Sequence, residues 1–272
     1  HVIGITGVPG SGKSTMVATL VALLRANGAK VGVVAIDPSS PYSGGSILGD
    51  RIRMNEHVLD QGVFIRSMAT RGAVGGLARA ALEAVDVLEH GGFDCIIVET
   101  VGVGQDEVEI ARASHTTIVV SAPGLGDDIQ AIKAGMLEIA DIHVVSKCDR
   151  SDANRTLSDL KHMMALGAAT RPADRWRVPV LGVSSLESTG FDQLIAAMKL
   201  HRSHIFGTPE GYERRHSIAQ FRLRKTAENL LLQSFAAQAQ PLLGDYSDEL
   251  RDRQIDPYTA AEALLSAINS KD

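Results

Sequence analysis

Cysteine is nearly missing from this 272-residue chain, which has only Cys95 and Cys148. Two cysteines cannot build the disulfide framework of a small secreted domain, and they point to a reducing, cytoplasmic setting. Long apolar runs are missing as well. No stretch reaches the roughly 18–20 apolar residues of a membrane helix, so no membrane is expected as a partner. Positive charge is not in surplus either: 27 Lys and Arg stand against 32 Asp and Glu, a net charge of −5. Non-specific nucleic-acid binding needs clustered cations and is therefore not expected. The nine histidines are scattered, and only His201 and His204 share a helical face. That pair reads as surface residues, because the further ligands of a metal site are missing. No signal peptide is read, since the chain opens directly on an apolar run, and residues are expected upstream of it.

What is present describes an ordinary globular protein, 44% hydrophobic and 22% charged. The length suffices for one α/β domain of about 200 residues and an appendage. The organising stretch is Gly7-Val8-Pro9-Gly10-Ser11-Gly12-Lys13-Ser14-Thr15. It follows the strand-like run His1–Thr6 and leads into Met16–Arg25, which has helical spacing. A G-x-x-x-x-G-K-S string between a strand and a helix is a phosphate loop. Its glycines let successive backbone N–H groups turn inward on the phosphates, and the following helix adds its positive end. Lys13 is expected to reach the β- and γ-phosphates, and the Ser14 hydroxyl to ligate Mg²⁺.

Further along, Val31–Ile36 reads as a buried parallel strand ending at Asp37. The Pro-, Ser- and Gly-rich stretch from Asp37 to Arg51 reads as a switch loop at that strand tip. Asp37 and Asp50 are its candidate Mg²⁺ carboxylates, held directly or through water. Val63–Arg66 is a short strand candidate and Leu77–Leu88 a helix. Phe93–Val98 is the most strand-like segment, and Glu99-Thr100-Val101-Gly102-Val103-Gly104-Gln105 follows it. An acidic residue at a buried strand tip with glycine three residues on suits γ-phosphate sensing. Glu99 would act through Mg²⁺ or water, and the Gly102 N–H would donate to phosphate. Gln105 is placed to orient water, although a loop glutamine is more often simply solvated. No strong general base stands nearby, so hydrolysis is expected to be slow without a partner.

Strands at Thr116–Ser121, Ile142–Val145 and Val178–Val183 continue the alternation, with helices at Ile129–Ile139, Leu157–Met164 and Phe191–Ile205. Ser146-Lys147-Cys148-Asp149 follows the second of these strands. Its carboxylate can accept from guanine N1–H and the exocyclic amine, a donor pair that adenine lacks. The backbone of Ser184-Ser185-Leu186, after the last strand, suits guanine O6. The fold expected is α/β: a mostly parallel sheet with helices on both faces over 1–206, with ligands at the carboxyl ends of its strands. Residues 207–272 are expected to be a helical extension. Their basic residues read as a solvated face and their apolar ones (Ile218, Phe221, Leu230, Leu231, Phe235) as packing against a second subunit or the domain edge.

Taken together, Gly7–Thr15, Asp37–Met54 (DPSSPYSGGSILGDRIRM), Thr70–Leu77 (TRGAVGGL), Glu99–Gln105 (ETVGVGQ), Ala122–Gln130 (APGLGDDIQ) and Asp256–Leu265 (DPYTAAEALL) resemble the methylmalonyl-CoA mutase-associated GTPases of MeaB/ArgK type. The resemblance implies a phosphate-loop GTPase that binds GTP or GDP with Mg²⁺. It also implies a chaperone that loads, protects or repairs the cofactor of an adenosylcobalamin-dependent acyl-CoA mutase, and a homodimer held through the C-terminal arm. Asp149 and Ser184–Leu186 carry over as base-reading positions, and Asp37, Asp50 and Glu99 as magnesium and switch carboxylates. Asp37–Met54 and Ala122–Gln130 are expected to change order with nucleotide state.

Two departures stand out. The family's helical extension ahead of the first strand does not precede His1 here. The usual Asn-Lys-x-Asp is Ser146-Lys147-Cys148-Asp149, and serine is expected to be too short to hold both the base and the phosphate loop. That loss predicts nucleotide binding weaker by about 1–2 kcal/mol. Alternatives are a metallochaperone GTPase, a kinase or transport-coupled ATPase, and a purely structural nucleotide module. Asp141-Ile142-His143-Val144-Val145-Ser146 approaches the Asp-x-His-x-x-Gly signature of cobalamin-binding domains but ends in serine, so no cobalamin site is read from it.

Overall fold

The computed structural model describes residues 1–37, 59–69, 79–100, 106–124, 137–168 and 175–269. Seven strands, β1 (Val2–Thr6), β2 (Val31–Asp37), β3 (Val63–Ala69), β4 (Cys95–Thr100), β5 (Thr116–Ser121), β6 (Ile142–Val145) and β7 (Val180–Gly182), form one sheet. Their order is β3-β2-β4-β1-β5-β6-β7, and every pairing is parallel. From β1 the chain runs out through β2 to β3, returns with β4 between β2 and β1, and then runs out on the other side of β1 through β5, β6 and β7. The loop after β1 therefore opens at the switch point of the sheet, where α/β folds bind ligands.

Strand alternation supplies both layers of core. Ile3, Ile5, Val31, Val33, Ile97 and Ile118 face one side, covered by Met16, Val17, Leu20 and Val21 of helix α1 (Lys13–Ala26). Val2, Val34, Ile36, Ile96 and Val98 face the other, covered by α2 (Arg79–His90) through Ala81, Leu82, Val85 and Leu88 and by α3 (Asp106–Ala113) through Ile110. Helix α4 (Ala153–Ala168) packs Leu160 on Val145 and Val180, and α5 (Phe191–Gly207) buries Phe191, Leu194 and Met198. Strands buried on both faces explain the near-continuous apolar runs.

The chain divides into two compact units, His1–Phe221 and Arg222–Asp272, and the boundary falls within the 31-residue helix α6 (Pro209–Ala239). The second unit holds the rest of α6 with α7 (Leu243–Arg251) and α8 (Pro257–Asn269). Its small core joins Ala239, Leu242 and Tyr246 to Leu264 and Ile268.

The histidine pair on α5 is not at the surface. His201 is 1% exposed and lies in a polar layer beneath the amino ends of β5 and β6. Its Nδ1 is 2.8 Å from Thr116 Oγ1, and the Trp176 ring packs against it at a 58° tilt, centroids 4.6 Å apart. His204 Nε2 lies 2.8 Å from Glu210 Oε2. The helical face was legible, but the partners that draw it inward are distant in sequence.

Burial foremost pushes His201 down to about 3 and His115 down to about 4. Both are neutral in the fold, so below about pH 6.5 the unfolded chain takes up protons that the native state refuses. Each then costs about 1.4 kcal/mol of stability per pH unit. Asp141 is pushed up to about 6 by burial, and between pH 6 and 4 it opposes one of them. Taken alone, these three groups lower stability by about 1.4 kcal/mol per unit from pH 6 to 4. Urea unfolding at pH 6.5, 5.5 and 4.5 is expected to show a falling midpoint, and a midpoint that rises instead contradicts neutral burial of the two imidazoles.

Candidate nucleotide site

The phosphate loop leaves β1 through Gly7, whose φ of 143° and position leave no room for a side chain: a Cβ there would lie 2.0 Å from the Val120 carbonyl oxygen. Gly10 and Gly12 are left-handed, with φ of 80° and 84°. Gly12 precedes α1 without a side-chain cap, so the helix's first N–H groups are left for an anion. Lys13 is 6% exposed and arches over the loop, its Nζ donating to the carbonyls of Gly7 (2.6 Å) and Val8 (3.0 Å). Pro9 and Thr15 are exposed, and Ser11 is buried.

Ser14 and Glu99 meet. The buried Ser14 hydroxyl donates to Glu99 Oε1 at 2.7 Å, and Glu99 is itself 3% exposed. Parallel pairing puts Glu99 opposite Ile5, so the carboxylate arrives beside the phosphate loop by strand register. Thr100 Oγ1 donates to Thr6 Oγ1 at 3.0 Å and ties the two strand tips together. Asp37 ends β2, one residue beyond the Ile36–Thr100 pairing with β4. A hydroxyl and a carboxylate within hydrogen-bond distance are hard oxygen donors and fit magnesium by type. Asp50, Gly102 and Gln105, with most of the two switch strings (38–54 and 125–130), lie outside the described residues.

The base loops flank the phosphate loop at the same sheet edge. Ser146, 3% exposed, directs its hydroxyl at the carbonyls of Ser11 and, at 3.1 Å, Ser121. Serine thus keeps the phosphate-loop contact. Lys147, in the left-handed region at φ 53°, donates from Nζ to the Gly10 carbonyl at 2.8 Å. Ser184 Oγ donates to Asp149 Oδ1 at 2.6 Å and accepts from the Glu187 N–H at 3.2 Å. The Ser184 bond, first among several contacts, holds the exposed Asp149 carboxyl below its ordinary range. The group is therefore an acceptor-only carboxylate at neutral pH. Leu186 is exposed and Ser185 half-buried at the β7 tip.

Three contacts around the phosphate and base loops escaped the sequence reading: the Thr6–Thr100 clasp, the Lys147 strap, and the Ser184 bond that orients Asp149. Each depends on which strand tips adjoin. Strand order, which motif spacing does not encode, is the only signal that finds them.

Whole-chain comparison bears on this geometry. Residues 1–240 match the family described as methylmalonyl Co-A mutase-associated GTPase MeaB. The chain belongs to that family. As a MeaB-family member it binds guanine nucleotide and hydrolyses GTP. A protein of Pyrococcus horikoshii, named as a GTPase, is 41% identical over 271 residues, spanning 98% of this chain and 84% of its own. GTPase ArgK of Escherichia coli is 44% identical over 194 residues, 71% of this chain and 58% of its own. The mouse methylmalonic aciduria type A homolog is 31% identical across 99% of this chain and 66% of its own. Among solved structures, an LAO/AO transport system kinase aligns with a TM-score of 0.65 and 28% identity, covering 98% of this chain and 81% of its own. Helicobacter pylori HypB in complex with nickel shares the fold, at a TM-score of 0.54 and 21% identity over 75% of this chain and 87% of its own.

Proposed function

We propose that this MeaB-family GTPase couples its nucleotide cycle to the loading, protection or repair of cofactor on an adenosylcobalamin-dependent acyl-CoA mutase. The observation that carries the proposal is the family match over residues 1–240, in a family associated with methylmalonyl-CoA mutase. The site supports the nucleotide half of the reading. Lys13 neutralises the β- and γ-phosphates, and the uncapped start of α1 binds them through backbone N–H groups. Ser14 and Glu99, with Asp37 and Asp50, would hold Mg²⁺, which spreads the charge that develops on the phosphates. The Gly102 N–H and Gln105 would orient the γ-phosphate and the attacking water. Asp149, with Ser184–Leu186, selects guanine.

In this reading 1–206 is the GTPase domain and 207–272 the helical extension through which two copies pair. Leu223, Leu230, Leu231, Leu232 and Phe235 of α6 expose between 38% and 73% of their surface, which suits a helical partner. Two free thiols, Cys95 and Cys148, agree with a cytoplasmic setting, and no described helix is long and apolar enough to cross a membrane. A metallochaperone role draws no support from the described residues, which hold no group of three side chains able to bind a metal ion.

The test is retention of this chain on immobilised candidate mutases with GDP and with a non-hydrolysable GTP analogue. At least one mutase is expected to retain it, more strongly in one nucleotide state. Failure on every mutase, or equal retention in both states, contradicts the coupling.

A further inference from the structure

Several hydrogen donors of the base loops are already engaged with protein oxygens. The Ser146 hydroxyl has a single proton, and the oxygens it reaches, Ser11 O and Ser121 O, are both carbonyls that only accept. Its backbone N–H is engaged as well, donating to the Ser121 carbonyl at 2.8 Å. Lys147 Nζ is drawn to the Gly10 carbonyl. The Cys148 N–H donates to the Val183 carbonyl at 3.0 Å, and its thiol to the Val145 carbonyl at 3.2 Å. The Ser184 proton goes to Asp149.

A guanine base bound between these groups has two readable edges. On the Watson–Crick edge, N1–H and the 2-amine need acceptors, which Asp149 supplies, and O6 needs a donor, which the Ser184–Leu186 backbone suits. The imidazole edge carries N7, an acceptor that needs a donor, and it lies on the side of the base joined to the ribose and phosphates. The position between Asp149 and the phosphate loop belongs to Ser146, as its contact with Ser11 shows. An asparagine amide there has two N–H protons and a longer stem. The serine has one proton, spent on a carbonyl.

We infer that this site reads guanine on its Watson–Crick edge and leaves N7 unread, with Ser146 as the residue that sets this specificity. The inference rests on the guanine reading of Asp149 and deepens it. The substrate class is correspondingly wider than guanine nucleotides proper: purine nucleotides with the guanine Watson–Crick edge bind whether position 7 is nitrogen or C–H.

Calorimetric titration of GDP, 7-deaza-GDP and ADP into the full chain tests it, with Ser146→Asn as a second protein. The native chain is expected to bind GDP and 7-deaza-GDP within about twofold of each other and ADP far more weakly. Ser146→Asn is expected to prefer GDP over 7-deaza-GDP by about fivefold, the worth of one neutral hydrogen bond. A native chain that binds 7-deaza-GDP fivefold or more weakly than GDP overturns the inference while the guanine reading stands. ADP binding as tight as GDP overturns the guanine reading itself. Equal binding of GDP and 7-deaza-GDP by Ser146→Asn shows that position 146 does not face N7 and overturns the assignment to that residue.

Discussion

Lys13→Ala is expected to abolish tight binding of GTP. The ammonium is 6% exposed and held at the mouth of the phosphate loop by the Gly7 and Val8 carbonyls, within a turn of the uncapped start of α1. It is therefore positioned before any phosphate arrives. Two charge-assisted hydrogen bonds to phosphate are worth about 3–5 kcal/mol together, or roughly two to nearly four decades of affinity. Global stability is expected to change little by comparison, because the lost contacts are with loop carbonyls and the core beneath α1 is untouched. Calorimetry with GTP checks this. Micromolar GTP binding retained by the variant contradicts the assignment of the phosphate site.

Asp149→Asn is expected to change which base the protein prefers. The substitution keeps shape and leaves an oxygen for the Ser184 hydroxyl at the Oδ1 position, now 2.6 Å away. It replaces the second carboxylate oxygen with an N–H₂ group, so a donor faces the donors N1–H and 2-amine of guanine. Losing one charge-assisted bond and creating a donor–donor clash costs about 3–4 kcal/mol, a loss of roughly 150- to 1,000-fold for GDP. Xanthine presents an acceptor in place of the 2-amine and is expected to bind the variant more tightly than guanine does. Paired titrations with GDP and XDP decide it. An unchanged order of preference shows that the base is read elsewhere.

How much of this was legible depended on whether a feature is local. All seven strands announce themselves as apolar runs, because a parallel sheet covered on both faces needs no polar alternation. Their ends were less legible. β3 was expected to stop at Arg66 and continues to Ala69, since it pairs with β2 along its whole length, while β7 contracts to Val180–Gly182. The short helix Asp106–Ala113, directly after the Glu99–Gln105 string, was not read, although its acidic first residues are a start signal. Leu243–Arg251 falls within the stretch expected to be helical, 207–272, but had no bounds of its own, since none of its residues is fully buried.

The site followed the same division. Lys13, Ser14 and the glycines are contiguous and were read directly from spacing. The Ser14–Glu99 contact follows once β1 is known to pair with β4. Ser146 was expected to be too short for two contacts, and the structure shows which one it keeps, the Ser11 carbonyl 135 residues away. The nucleotide penalty then falls on the base contact alone, nearer about 1 kcal/mol than 2. His201 escaped for the same reason. Its partners Thr116, Asp141 and Trp176 come from other elements, and no pattern within Phe191–Gly207 distinguishes an inward histidine from a solvated one.

The most direct test of the account is GTP turnover by this chain in the presence of Mg²⁺, alone and with each candidate acyl-CoA mutase. The account predicts slow hydrolysis alone, because no strong general base stands at the described site, and acceleration of several-fold or more by at least one adenosylcobalamin-dependent mutase. Turnover that no such mutase changes contradicts it.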